Sequence, residues 1–546
     1  MRRILATITV AATAATFSWT AWTASPRFYP DDPIARDPET QNAAAVGRTR
    51  ISETYDVMEN SFLGAGDDEP QRAVNINTIG EVPDSSWFTN RAGSRRLSID
   101  ELVRGPDTGT GPVGKWTVTG IKTEGVTPGF TMKDETGEIY WIKFDPKTNP
   151  EMASGAEVIS TKFFHAFGYH VPENYLATFR REDLSIEAGA TVRDQDGREQ
   201  PLRWRDIDNV MDRAAQNADG TYRVLASRNL RGEPLGPFRY HGTRPDDPND
   251  IFPHEHRREL RGLVVFSAWL NHDEVRSGNS LDTLIRTGNR AVVRHHLLDF
   301  GSTLGSGSVQ AQSRRAGNEF VWEARPTLIT MLTLGLWVRP WLKVPYPELP
   351  AVGRIESTYF RPELWKPDYP NPAFKNAQPE DRFWAARIVS TFSDDAIKAV
   401  VGTAKYSDPQ AAAYIVDTLL ARRSKVLTSW LTGINPIVDA ELNAEGVLTF
   451  RNAAELAAVA TAPERYTVEW LRFDNATNAS EAVGSEQTLA SPRAQAPPAL
   501  LEPRPAFVAA RIRAHHRDHA AWAQPVTLYF RRGDRAWTLV GLERGR

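Results

Sequence analysis

Five residues in this sequence have side chains that could share one reaction: Lys143, Glu157, Asp273, Asn279 and Asp299. The last three fall within one stretch, 269–301, which runs W-L-N-H-D-E-V-R-S-G-N-S and ends on Asp299-Phe300-Gly301. Aspartate and asparagine offer hard oxygen ligands of the kind Mg2+ takes, with waters and phosphate oxygens completing its shell. A positioned aspartate can also accept the proton of a hydroxyl group. Histidines offer a rival chemistry. His254-x-His256, His272 and His295-His296 could bind Zn2+ in a metal-dependent hydrolase. Against that, His295 and His296 point to opposite faces if they lie on a strand, and no H-E-x-x-H helix is present.

The elements that must carry these residues are legible in the patterning. Strand-like runs at 116–122, 130–134 and 139–144 form a meander whose first turn contains Gly125 and Gly129. Lys143 lies on the third run. Asn149 and Pro150 read as an N-cap and first helical position, and Met152, Ala156, Ile159, Phe163 and Phe167 recur at helical spacing up to Gly168. Glu157 belongs to that helix. Strands are expected at 171–179 and 221–227, around a polar insertion with one helix near 204–215. An apolar helix over 253–270 leads into the polar loop of His272, Asp273 and Asn279. A hairpin follows at 280–286 and 291–298, turned at Thr287-Gly288-Asn289.

Beyond Gly301 the chain is rich in Gly, Ser and Gln up to Asn318, as in a mobile activation-type loop. Residues 327–342 are strongly apolar. They are expected to form a buried helix, with a membrane-facing element as the alternative. Helices are expected at 379–392, 393–402 and 408–431. From Val438 the pattern changes to short strands, with 484–505 as a long loop among them.

Taken together, residues 116–433 resemble the protein-kinase-like superfamily on its atypical side, nearer to HipA-like, CotH-like and secretory-pathway kinases than to signalling kinases. The resemblance rests on a strand lysine, a helix glutamate, the Asn271-His272-Asp273 loop, Asn279 and the Asp-Phe-Gly tripeptide, in that order. It implies an α+β, two-lobed fold with an antiparallel-sheet N-lobe at 111–240 and a mostly helical C-lobe at 241–436. It implies ATP and Mg2+ as cofactors. Lys143 and Glu157 would position phosphates, with Gly125 and Gly129 in the phosphate turn. Asp273 would be the catalytic aspartate, and Asn279 and Asp299 the metal ligands. The sequence departs from the family pattern in three places. His-Arg-Asp is replaced by Asn271-His272-Asp273, the spacing from Asp273 to Asn279 is one residue longer, and no Ala-Pro-Glu follows. The implied activity is phosphotransfer to a protein or small-molecule hydroxyl, with AMP transfer open on the same machinery. A non-catalytic pseudokinase that binds at the cell envelope is the alternative.

The remaining sequence frames this region. Residues 1–25 read as a signal peptide or N-terminal anchor: Arg2-Arg3 precede an apolar run of about 19 residues, near the ~20 that span a bilayer. The expected location is therefore outside the cytoplasm: periplasmic, envelope-anchored or secreted. Residues 26–110 read as an extended arm with Trp87 and Phe88 as its docking point, and 437–546 as an antiparallel β domain of sandwich type. The chain of 546 residues has a net charge of -3, which gives no electrostatic case for a nucleic-acid partner. Without cysteine it has no disulfide, thiol nucleophile or thiolate metal site. The expected partners are a nucleotide, an unknown hydroxyl substrate, and a membrane reached through the N-terminus or residues 327–342.

Overall fold

Alternating side chains build the first sheet. In Ile139–Phe144 (β3), Tyr140, Ile142 and Phe144 are buried on one face. They meet Ile207, Val210 and Met211 of helix α4 (Trp204–Met211). Lys143 therefore points to the other face, where helix α3 (Met152–Phe167) packs. This arrangement is taken from a computed structural model that describes residues 25–122, 127–193, 198–307, 309–502, 504–534 and 536–545.

The architecture is mixed α+β with several antiparallel sheets. Strands β1 (Trp116–Ile121), β2 (Gly129–Lys133), β3, β4 (Asn174–Phe179), β5 (Leu184–Ile186) and β8 (Tyr222–Arg228) form a six-stranded sheet in the order β4-β8-β3-β2-β1-β5. A small ribbon, β6 (Thr191–Arg193) with β7 (Glu199–Pro201), lies in the polar insertion. Next, β9 (Glu233–Gly236), β10 (Ser280–Thr287) and β11 (Arg290–Leu297) make a three-stranded sheet, with β10 and β11 as the expected hairpin. Helix α5 (Arg258–Leu270) leads to it. The long helices α8 (Pro379–Ser390), α9 (Asp394–Gly402) and α10 (Pro409–Leu431) follow close to their expected positions, α10 with Asp408 as its N-cap.

The C-terminal strands make two antiparallel sheets. Ile437–Leu442, Val447–Asn452 and Arg493–Gln495 form one, and Arg465–Asp474, Ala479–Ala482, Gln487–Leu489, Phe507–His515, Val526–Arg532 and Trp537–Arg544 the other. This β-rich layout is compatible with a sandwich. The segment expected to be a bare loop, 484–505, instead contributes two short strands and the helical turn Pro498–Leu501. Its Ala and Pro content hid edge strands that are held by their neighbours rather than by their own propensity. One buried cluster runs from Phe163 and Trp269 to Trp470 and Trp522, so these sheets share a core with the helices.

The arm wraps this core. Phe28 packs against Phe473 and Tyr529 at ring separations of 5.8 and 5.3 Å. Trp87 stacks on His295 at 3.5 Å, with the Arg257 guanidinium 4.5 Å above it. Behind the stack, Asp282 accepts from His295 at 2.7 Å and from Arg244 at 2.8 Å. Phe88 lies against Gly168, where a Cβ would come within 2.2 Å of its ring. Trp87→Ala is therefore expected to cost about 3–5 kcal/mol by urea unfolding, because it opens a cavity and strips the cover from buried charges.

Two further expectations are corrected. Residues 327–342 are not a buried helix. Helix α6 (Ala324–Leu332) has no buried residue, and Leu334 and Leu336 beyond it are 91% and 85% exposed. Apolar content alone suggested burial, but no element of the described chain packs over it. The helix after β3 begins at Met152, with Glu151 in the left-handed region at φ 67, rather than at Asn149-Pro150. Asn149 closes a turn on Pro146 instead. The N-terminal run and Gly125 lie outside the described residues. Among the described residues, no helix is long and apolar enough to cross a membrane.

Candidate active site

Three of the five residues are in direct contact. Lys143 Nζ donates to both Glu157 carboxylate oxygens, at 3.1 and 3.0 Å, and to Asp299 Oδ1 at 2.8 Å. Each comes from a different element. β3 presents Lys143 on the face away from its apolar side chains. Glu157 sits on α3, which is buried along nearly its whole length. Asp299 follows β11 and takes the left-handed conformation, φ 59, which turns the chain into Phe300-Gly301. Gly301 has room only because it lacks a Cβ, which would stand 3.0 Å from Glu157 Oε2. Phe300 stacks on Phe164 of α3 at 4.6 Å, and Thr303 accepts or donates a 2.6 Å bond with Ser160. Aromatic packing and a hydroxyl pair thus fix the Asp299 turn against the helix that carries Glu157.

The charges in this trio are set by one another. Burial opposes the Lys143 charge, but Asp299 and Glu157 outweigh it and hold its pKa above the ordinary lysine value. Lys143 brings Asp299 down to about 2 against the pull of burial. Glu157 is raised by burial, with Lys143 only partly offsetting it. Asn174 offers its amide to Glu157 at 3.5 Å and to Thr161 at 2.8 Å.

The loop of Asp273 and Asn279 adjoins the trio. α5 ends on Asn271 in the left-handed conformation, and Asn271 Oδ1 accepts from the Trp365 indole at 3.0 Å. His272 is buried beside Phe164 and Phe300, and burial lowers its pKa to about 4. Asp273 is 1% exposed, and neither of its carboxylate oxygens has a hydrogen-bond partner. Burial first, then the neighbouring Asp368 and Glu274 charges, push its pKa well above the usual carboxylate range. Asn279 stands next to Asp299 through the backbone, since Leu298 N donates to Asn279 O at 2.9 Å. Its own amide donates to Glu274 O at 2.9 Å.

Glu274, Asp368 and Arg315 belong to this neighbourhood although the sequence motifs did not single them out. Asp368 N donates to Asp273 O at 2.8 Å, and Arg315 pairs with the Asp368 carboxylate at 2.8 Å. Glu274 is raised by burial and by both Asp368 and Asp299. Its position beside Asp273 was a usable signal. Asp368, far along the chain, carried none.

The glycines divide differently. Gly129 opens β2, where a Cβ would lie 2.1 Å from Ile142 O, so close strand pairing accounts for it. The recess around Lys143, lined by Thr127, Ala153, Leu225 and Gly301, holds only about 10 Å3. The rival histidines have structural partners. His254 bonds Asp250 at 2.7 Å, His256 bonds Gln71 at 2.8 Å, and His295 is held by Asp282. Asp282 is occupied by Arg244 and His295. Among the described residues no three His, Asp or Glu side chains form a metal-binding group. A site for Mg2+ carried on phosphates needs fewer protein ligands than that, and Asp299 with Asn279 can supply them.

No protein-family model matches the chain, and no curated protein matches it. Among solved structures, the crystal structure of the Helicobacter pylori proinflammatory kinase CtkA is similar over 57% of this chain and 94% of that one, at 11% identity and a TM-score of 0.30. A likeness at that level carries no functional argument. The functional reading therefore rests on the geometry of Lys143, Glu157, Asp273, Asn279 and Asp299.

Proposed function

We propose that the chain is an exported, two-lobed, kinase-like phosphotransferase that uses ATP and Mg2+ to modify a hydroxyl group on a protein or small molecule. The observation that carries this reading is the bridge from Lys143 to both Glu157 and Asp299, because it joins an otherwise separate strand, helix and loop at one charged point. Bound Mg2+ and ATP supply the transferable phosphoryl group and the cation that neutralises its charge. Lys143, oriented by Glu157, holds phosphate oxygens. Asp299 and Asn279 are the residues that would hold the metal. The unpaired carboxylate of Asp273 has free lone pairs to orient an acceptor hydroxyl and take its proton. Arg315 and Asp368 support the Asp273 loop. The boundaries proposed are an N-lobe at 111–240, a C-lobe at 241–436 and a β domain at 437–546.

The burial of Asp273, 1% exposed, favours the second reading, a non-catalytic kinase-like binding protein of the cell envelope. Thermal shift separates the readings. With Mg2+ and ATP together, the protein should gain about 2.7 kcal/mol at roughly a hundredfold excess of ligand over Kd. Asp299→Ala should remove the Mg2+ dependence of that gain. Binding without any autophosphorylation or transfer would leave the non-catalytic reading standing. No binding at all would sink the catalytic reading.

A further inference from the structure

We infer that the apolar tongue at residues 321–343 is a membrane-docking surface that seats in the headgroup region of an anionic bilayer. The inference does not depend on the phosphotransfer reading. A helix whose leucine, isoleucine and methionine side chains are left in water is short of a cover, which a core or lipid supplies. α6 has no buried residue, and Met331 and Leu332 are 68% and 75% exposed. The chain then turns at Gly335, φ 82, where nothing lies within 4 Å of a would-be Cβ, with Leu334 and Leu336 on either side. The tongue therefore ends in a projecting tip of leucines rather than in a groove or flat face.

The chemistry around the tip selects lipid as the occupant. Residues 324–347 contain no aspartate or glutamate, and Arg325 and Lys343 give them a basic collar suited to anionic headgroups. Trp337 and Trp341 lie beside that collar, where indoles favour the membrane–water boundary. Glu319 holds the base of the tongue to the body. It accepts from Trp341 Nε1 at 2.8 Å and from Arg339 at 2.9 Å, which leaves the leucines furthest out. The arm widens the patch, since Phe62 packs on Trp322 at 5.1 Å and Leu63 is 65% exposed.

Docking there would hold the candidate cleft at the surface. Val321 N donates to Asp368 O at 2.6 Å, and Asp368 N donates to Asp273 O at 2.8 Å. The base of the tongue is thus two backbone hydrogen bonds from Asp273.

Because the chain has no cysteine, one label can report on the tongue alone in the full-length protein. Leu334→Cys carrying a polarity-sensitive fluorophore is mixed with phosphatidylcholine vesicles with or without phosphatidylglycerol. The expected result is a blue shift, and quenching by a lipid-borne quencher, that require phosphatidylglycerol. The same label at the exposed Glu182→Cys should stay unchanged. Arg325→Glu and Lys343→Glu should each weaken the response by about fivefold. No shift at position 334 with anionic vesicles overturns the inference, even if the chain floats with them. A shift without vesicles, together with a dimer in solution, overturns it in favour of a protein partner.

Discussion

Asp273→Asn is expected to abolish transfer and to raise the melting temperature. The two effects have one cause. Asp273 is buried, its oxygens have no hydrogen-bond partner, and Asp368 and Glu274 crowd it with like charge. Such a carboxyl is costly to the folded state, and residues kept at a cost of this kind cluster where chemistry is done. Asparagine removes the titrating group at nearly constant shape. Loss of a positioned general base is worth about 10^2- to 10^4-fold in rate. The stability gain has a pH signature. The folded pKa lies above the unfolded value, so the penalty is absent below about pH 4 and grows as pH rises toward the folded pKa. Asp273→Asn should therefore match the wild type in Tm near pH 4 and exceed it by about 1–3 °C at neutral pH. A Tm that falls at neutral pH would mean the carboxylate is a structural group with partners, and the base assignment would lose its physical support. Scanning calorimetry across pH, paired with a transfer assay, reads both halves.

Lys143→Ala should produce the largest loss of stability among the site variants. It leaves Glu157, which is almost wholly buried, without the cation that compensates it. Breaking a buried ion pair from one side costs about 3–5 kcal/mol, because the remaining charge has no partner. Glu157 already has a raised pKa while Lys143 offsets part of the burial cost. Without Lys143 that pKa rises further. The added instability is then absent below the unfolded glutamate value and develops as pH rises above it. Lys143→Met combined with Glu157→Gln should recover most of the stability, since both charges are gone and the volumes are kept. Recovery of stability without recovery of nucleotide binding would separate the phosphate-holding role of Lys143 from its structural role. If the single variant unfolds at the same urea concentration as the wild type, the bridge seen between β3, α3 and Asp299 does not hold these elements together.

The residues that the sequence singled out owe their legibility to local rules. Period-two burial put Lys143 on the strand face opposite Tyr140, Ile142 and Phe144, helical periodicity put Glu157 on the element after it, and the Gly288-Asn289 turn fixed the hairpin that delivers Asp299. The helices after residue 379 were readable for the same reason, because Pro379, Ser393 and Asp408 mark their starts. Trp87 and Phe88 were recognisable as residues that need burial, but not what would bury them. His295 and Gly168 come from distant parts of the chain, and such contacts leave no local pattern.

What the sequence alone determined, then, is the set of reactive side chains, their order and the elements that bear them, because hydrogen bonding and burial within a strand or helix depend on near neighbours. Only the tertiary structure decided the rest. It brought Lys143, Glu157 and Asp299 into one bridge, added Asp368 to Asp273 across a long loop, and narrowed the recess they share. It also left residues 327–342 exposed, although their composition suits a core equally well. Hydropathy states how much an apolar segment gains by leaving water, whereas what covers it is settled by which surfaces the folded chain has left to offer.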